Sequence, residues 1–199
     1  MTTLIIAIIL FVLAIGWSFL MTTLSQRSDV KTQLKNIQPN DNWSPEDATF
    51  LNLRFGGYSR DDVNTHWEAL QSLNLQDISA LDLEVRFISL DFFFPIFYGL
   101  ALIFGILLAG HNTLSNWRFK LIATSPVLLT AIADWIENAI HWQQIHRFQQ
   151  SSQLVDGTWI AVASVATQVK LIGFIISLLV LVILVINSFL DKLKRRDKN

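Results

Sequence analysis

The 199-residue chain is 52% hydrophobic and only 16% charged, with a mean hydropathy of +0.42. Soluble domains carry about 25% charged residues, so this composition indicates an integral membrane protein. A net charge of −1 without a basic stripe predicts no nucleic-acid partner, and the absence of cysteine excludes disulfides, thiolate metal sites and covalent haem attachment.

Four apolar runs, at residues 4–20, 87–109, 121–133 and 159–190, predict four membrane-spanning helices. About 20 mostly apolar residues cross the ~30 Å hydrocarbon layer, and the third run reaches that length through its polar end. The predicted fold is an all-α integral membrane protein with four transmembrane helices and a small helical extracytoplasmic cap in the first loop. The segments are helix 1 at 1–24, the cap at 25–83, helix 2 at 84–110, helix 3 at 117–143, helix 4 at 157–190 and a basic cytoplasmic tail at 191–199.

The distribution of basic residues predicts the orientation. Five of the nine tail residues are Lys or Arg, which favours a cytoplasmic C-terminus, and four spans place the N-terminus on the same side. Three basic residues near the start of the first loop weigh against this orientation. The first run lacks a basic n-region and a clear cleavage site, so it is interpreted as a retained helix. The predicted location is the bacterial inner membrane, with the first loop outside.

The first loop contains two helix start signals. SPED at 44–47 offers a Ser N-cap, a Pro at the first helical position and two acids. Gly56 and Gly57 end that helix, and SRDD at 59–62 begins another. The second helix has one apolar face, formed by Val63, Trp67, Leu70 and Leu73. Two short helices cannot bury a core alone, so the outer end of the bundle is their expected floor.

The second span reads LDFFFPIFYGLALIFG. Asp91, Phe94, Pro95 and Tyr98 follow one another at i, i+3, i+4 and i+7 and therefore share one helix face. Pro95 removes a backbone hydrogen bond and is predicted to kink the helix near Asp91.

The third span carries ADWIENAIHW at its polar end. Asp134, Glu137, Asn138 and His141 have the same spacing and again share one face. Ionisable groups at membrane depth cost at least a few kcal/mol each and commonly mark a functional site.

The depths of these residues agree. At about 1.5 Å per residue, Asp91 lies about 27 Å from the inner end of its helix, Asp134 about 24 Å and Lys170 about 28 Å. Three helices are therefore predicted to place polar side chains in one layer, near the outer leaflet and beneath the cap.

The leading hypothesis is a pocket that binds a small amphipathic or cationic molecule, or a lipid. The carboxylates of the layer outnumber Lys170, and Phe93, Phe94 and Phe97 are placed to meet an apolar tail. The predicted ligand-binding residues are Asp91, Phe94, Tyr98, Asp134, Glu137, Asn138, His141 and Lys170.

Other classes stay open. A membrane enzyme would use Asp91 or Glu137 as general acid or base and Lys170 as charge stabiliser. An accessory subunit of a larger membrane complex, or a homo-oligomer, would use the polar layer as interhelical glue. Asp134, Glu137 and His141 are acceptable ligands for a divalent metal but match no dedicated motif, and no cofactor is implied. Transport is disfavoured because the inner halves of the spans are apolar.

Two resemblances bear on these hypotheses. GGYSxDDV, LDxxFPxxY and DWxEN, which cover roughly residues 56–141, resemble a pattern of small bacterial membrane proteins of unassigned function. That resemblance implies a shared site at Asp91, Pro95, Tyr98, Asp134, Glu137 and Asn138. The architecture is similar to the emopamil-binding-protein-like group of sterol isomerases and sigma-type receptors, which implies intramembrane acids that hold or protonate amine-like or sterol-like ligands. DWxEN is not that group's signature, so no site residue is carried over from it.

Overall fold

The structure, a computed structural model, describes residues 2–25, 51, 54, 56–73, 79–151 and 155–196. Within these residues the chain is 88% helical and contains no strand, which confirms the predicted all-α class. The helices of this part are α1 (Thr2–Ser25), α2 (Arg60–Ser72), α3 (Ala80–Asp91), α4 (Phe94–Ala109), α5 (Trp117–Ser151) and α6 (Gly157–Arg196).

Three helical stretches are long and apolar enough to cross a membrane, which is compatible with an integral membrane protein. They are Ala80–Ala109, which joins α3 and α4, Trp117–Ser151 and Gly157–Leu193. The apolar stretch of α1, Ile8–Leu20, is shorter. The first of the four predicted spans, in α1, is therefore not established by length and composition, and the sidedness of the termini stays a prediction.

The second predicted span is interrupted by a two-residue turn after Asp91. α4 restarts with Pro95 in its first turn, where a residue without an N–H is tolerated. The carbonyl of Phe92 in this turn accepts a hydrogen bond of 3.0 Å from the indole nitrogen of Trp135. The interruption lies where Pro95 predicted a kink, and α5 satisfies one of the backbone groups that the turn leaves free.

α5 and α6 approach each other closely at Gly173. A Cβ atom on Gly173 would collide with Thr130 Oγ1 and would lie 3.3 Å from the carbonyl oxygen of Pro126. Thr130 donates a hydrogen bond of 2.8 Å to that same carbonyl within α5. A small residue is needed here because it lets two membrane helices come into backbone contact.

α2 begins as the sequence predicts. Ser59 Oγ accepts from the Asp62 amide at 3.2 Å, and the Asp62 carboxylate accepts from the Ser59 amide at 2.7 Å, which forms a capping box. The predicted apolar face is buried, at Val63, Trp67, Leu70 and Leu73. It belongs to a core shared with α3, α5 and α6, so the bundle is its floor. SPED at 44–47 lies outside the described residues, and the extracytoplasmic side of α2 stays a prediction.

The start of α2 is also tied to the connection between α5 and α6. Arg60 Nε donates to the Val155 carbonyl at 2.8 Å, and the Val155 amide donates to Asn64 Oδ1 at 3.1 Å. The Asp156 amide donates to Gln144 Oε1 at 2.9 Å. These bonds fix α2 at one end of the two longest helices.

Candidate functional site

The centre of the candidate site is an ion cluster between α5 and α6. Lys170 Nζ donates to Asp134 Oδ1 at 3.0 Å and lies 2.5 Å from Glu137 Oε2. The side chains are 12%, 3% and 0% exposed for Lys170, Asp134 and Glu137. The Glu137 carboxylate also interacts with the Thr167 side chain, so α6 provides two polar neighbours for it.

α4 joins this cluster through Tyr98. Its hydroxyl donates to Asp134 Oδ2 at 3.1 Å, so both carboxylate oxygens of Asp134 are engaged. Asp91, at the end of α3, is 7% exposed and interacts electrostatically with Asp134 and Lys170. The structure therefore brings Asp91, Tyr98, Asp134, Glu137 and Lys170 together in one layer.

The charges of the layer are unequal. Two carboxylates, of Asp134 and Glu137, contact the one ammonium group of Lys170, which leaves a formal charge of −1 for these three side chains (−2 from the acids, +1 from Lys170) if all are ionised. Clustered acids in a poorly solvated environment do not all stay ionised without further positive charge. The negative charge of the layer therefore favours an added proton or a cationic partner.

Beside the ion cluster, an apolar groove of about 380 Å³ runs between α1, α4 and α6. Its lining includes Phe11, Phe94, Tyr98, Ala101, Phe174 and Leu181. The volume falls in the range of about 300–1,000 Å³ that is typical of small-molecule sites.

Aromatic contacts order one wall of the groove. The ring of Tyr98 packs against Phe94 with centroids 5.0 Å apart and meets Phe174 edge-on at 5.9 Å. Phe93 and Phe97, which the sequence placed beside an apolar ligand tail, instead pack against Trp17 of α1 at 6.1 and 5.5 Å. Of the three phenylalanines, Phe94 is the one in the groove lining.

The other two predicted residues of α5 are also buried, and one of them, His141, contacts the segment that precedes α2. Asn138 and His141 are fully buried. The ring of His141 lies 5.2 Å from that of Tyr58, a residue that precedes α2. His141 therefore extends the polar face of α5 toward α2.

A second buried cluster, which the sequence reasoning missed, lies between α2 and α3. Glu84 Oε2 is 2.8 Å from His66 Nε2, and Glu84 Oε1 accepts from the Trp67 indole at 3.3 Å. Arg54 Nη2 lies 3.1 Å from the other ring nitrogen of His66, and both His66 and Glu84 are fully buried. The feature of the sequence that could have indicated this cluster is the position of its residues. His66 adjoins the buried Trp67, and Glu84 adjoins the buried Leu83.

Tyr58 links the two clusters. Its amide donates to Ser164 Oγ at 3.0 Å, and its hydroxyl lies 3.2 Å from Thr167 Oγ1. Burial raises the pKa of Tyr58 well above its usual value of 10.0, and the negative charge of Glu137 raises it further. Tyr58 is therefore a neutral hydrogen-bonding group beside Glu137.

A metal centre is not formed by the predicted residues. Within the part of the chain that the structure describes, no group of three or more His, Asp or Glu side chains is arranged to hold a metal ion. Asp134 and Glu137 face Lys170, whereas His141 lies against Tyr58.

Comparison of the chain with protein-family models, with curated proteins and with solved structures finds no significant match.

Proposed function

We propose that the protein binds a small amphipathic molecule with a cationic head group. The apolar part of this ligand would occupy the groove between α1, α4 and α6, and its head would be matched by the carboxylates around Lys170. One observation carries the proposal: Tyr98 belongs to both places. Its ring lines the groove, and its hydroxyl donates to Asp134.

The charge of the layer selects the head group. Lys170 provides one positive charge for the two carboxylates that it contacts, of Asp134 and Glu137, so a second cation improves the balance and an anion worsens it. A protonated amine can also donate hydrogen bonds to carboxylate oxygens, and charge-assisted bonds of this kind are the stronger ones.

The depth of the site suits a lipid-like molecule. Asp134 lies 17 residues beyond Trp117 in α5, or about 26 Å at 1.5 Å per residue, which is close to the far boundary of a ~30 Å hydrocarbon layer. Trp135, Trp142 and Trp159 are all exposed, as expected for an aromatic belt at that boundary. A ligand with its head near the interface and its tail in the groove would therefore lie as a bilayer lipid does.

Native mass spectrometry of the purified protein in mild detergent tests the proposal. The variants are Asp134→Asn/Glu137→Gln, which removes charge, and Ala101→Phe, which fills the groove. Ala139→Phe, at an exposed position on α5, is the matched control. We expect a defined extra mass on the wild type and the control, and its loss from the other two.

Added probes test the charge of the head group directly. Dodecylamine should bind to the wild type and to Ala139→Phe more tightly than dodecanoate, and this preference should disappear in Asp134→Asn/Glu137→Gln. Equal binding of the two probes to the wild type, or undiminished binding to Ala101→Phe, would contradict the proposal.

A structural role for the polar layer is the second candidate, because Lys170 already pairs with Asp134 and Glu137. In that case Asp134→Asn/Glu137→Gln should lower the stability of the bundle, and neither co-purified nor added ligand should bind to any variant.

A further inference from the structure

The groove between α1, α4 and α6 has three walls of unequal length. The lining residues of α4 lie within 94–105 and those of α1 within 8–18, which at 1.5 Å per residue are stretches of about 16 Å and about 15 Å. The lining residues of α6 lie within 174–181, a stretch of about 10 Å. The groove is therefore longer than it is wide, and its long axis follows the helices.

Two contacts show that α4 and α6 run side by side along the groove. At one contact the ring of Tyr98 meets Phe174 edge-on at 5.9 Å, and the Tyr98 hydroxyl donates to Asp134 of the ion cluster. At the other, seven residues further along each helix, a Cβ atom on Gly105 would lie 3.4 Å from Leu181 Cδ1. The contact of Gly105 with Leu181 is the far end of the groove, opposite the ion cluster.

The far end is closed by packed side chains. Gly105 and Leu181 are the last lining residues of α4 and α6. Beyond them, Ile106 is fully buried and Leu184 is 6% exposed, and both belong to one apolar core. A chain that enters the groove from the side of the ion cluster therefore ends against Gly105 and Leu181.

The distance from the ion cluster to the far end limits the length of a bound alkyl chain. Carbon–carbon bonds of about 1.5 Å at an angle of about 111° advance an extended chain by about 1.25 Å per carbon. The stretch from Tyr98 to Gly105 is about 10 Å long, which corresponds to about 8 carbons. The longer α1 wall, at residues 8–18, corresponds to about 12 carbons.

The width of the groove admits one chain. A volume of about 380 Å³ over a length of about 15 Å gives a mean cross-section of about 25 Å². Carbon atoms in contact lie about 4 Å apart, so one alkyl chain takes up roughly 16 Å² and two chains side by side take up roughly 32 Å². The groove therefore fits a single unbranched chain, and it does not hold the two chains of a phospholipid together.

We propose that the groove selects a single-chain amine by its length, about 8–12 carbons, and that Gly105 and Leu181 set this limit. The inference rests on the proposed function, which places the cationic head beside Asp134, and adds the class of ligand and the residues that measure its chain. Up to the limit, each added CH₂ group gains contact with the apolar lining. Beyond the limit, an added CH₂ group has no space between Gly105 and Leu181, so the chain has to bend out of the groove.

Two variants move the far end in opposite directions. Gly105→Ala places a methyl group 3.4 Å from Leu181 Cδ1, an ordinary van der Waals contact, so it shortens the groove without displacing its neighbours. Leu181→Ala removes most of a partly buried side chain and lengthens the groove. Gly99→Ala is the matched control on α4, because a Cβ atom on Gly99 faces Ala131 of α5 at 3.9 Å. Leu179→Ala, at an exposed position of α6 outside the lining, is the control for Leu181→Ala.

Native mass spectrometry with an equimolar mixture of straight-chain primary amines, from hexylamine to hexadecylamine, measures the chain lengths that bind. Partition of the amines into detergent is the same for every protein, so a difference from the wild type reports the groove. The mean length of the bound amine should fall by about one carbon in Gly105→Ala and rise by about two carbons in Leu181→Ala, as the added and removed bonds require. Both controls should keep the wild-type mean.

The groove-filling variant Ala101→Phe identifies amines that bind elsewhere, and the wild type should carry one amine more than this variant. An unchanged mean length in Gly105→Ala overturns the length limit, even if Leu181→Ala does not fold. Two additional amines on the wild type overturn the single-chain fit. Amines that bind with the same mean length to all proteins leave the proposed function intact, whereas failure of every amine to bind to the wild type overturns both proposals.

Discussion

Lys170 of α6 donates a hydrogen bond of 3.0 Å to Asp134 of α5, and the two side chains are only 12% and 3% exposed. A charge pair at this depth is costly to desolvate, so its net contribution to stability is small. Removing one partner of the pair lowers stability strongly, because the remaining charge stays buried without compensation. This asymmetry provides the first prediction.

Lys170→Met should destabilise the protein by about 3–5 kcal/mol, since it leaves the charges of Asp134 and Glu137 unpaired. The triple variant Lys170→Met/Asp134→Asn/Glu137→Gln should recover most of that loss. The measurement is the free energy of unfolding in mixed micelles titrated with sodium dodecyl sulfate. If the single and triple variants prove equally stable, the ion cluster does not control stability.

Tyr98→Phe should lower the unfolding free energy by about 0.6 kcal/mol, the average for an interhelical hydrogen bond in a membrane protein. Tyr98→Ala should lower it by about 3–5 kcal/mol, because the ring contacts with Phe94 and Phe174 are lost as well. The same unfolding assay compares the two. A large loss in Tyr98→Phe would mean that the hydroxyl, and not the ring, holds α4 in place.

Gly173→Ala should weaken the contact between α5 and α6 by about 1–3 kcal/mol, since the added methyl group collides with Thr130. Gly16→Ala is the control because a Cβ atom at Gly16 meets nothing within 4 Å. Thermal unfolding in detergent, followed by circular dichroism, should show a lower midpoint for Gly173→Ala alone. Equal midpoints would show that α5 and α6 accommodate the added methyl group without loss of stability.

Alkaline pH should unfold the protein partly through Tyr58. Its pKa is raised from the usual 10.0 in the folded state, so the stability it contributes is complete below about pH 10 and falls as the pH rises above that value. The loss should approach about 1.4 kcal/mol per pH unit. Tyr58→Phe should remove this component, so the difference in unfolding free energy between wild type and variant should shrink from about pH 10 upward. A constant difference would indicate that Tyr58 is not shielded from solvent.

Much of the local structure could be predicted from the sequence. The N-cap at Ser59 and the apolar face of α2 follow from residue spacing, and the interruption after Asp91 follows from the missing N–H of Pro95. α5 continues as a helix to Ser151, past the predicted end of its span at 143. Hydropathy detects where a helix stops being apolar, whereas the helix itself continues through polar residues such as Gln144.

The candidate site was predictable in part. Helical rise alone placed polar residues of three helices at similar depths, and in the structure Tyr98, Asp134 and Lys170 meet. The sequence did not indicate that His141 would turn toward Tyr58, or that Phe93 and Phe97 would pack against α1. The rotation of each helix about its axis decides these contacts. Because each helix has apolar residues on several faces, the sequence does not determine this rotation.

The sequence by itself determined the helices, the N-cap of α2 and the polar layer, because helix propensity, capping and rise per residue act within one segment. Only the tertiary structure decided which carboxylates share Lys170, that His66 and Glu84 meet, and that Tyr98 lines a groove between three helices. These features join residues that are far apart in the chain. They depend on how the helices pack against one another, and the spacing of residues within one helix does not determine that packing.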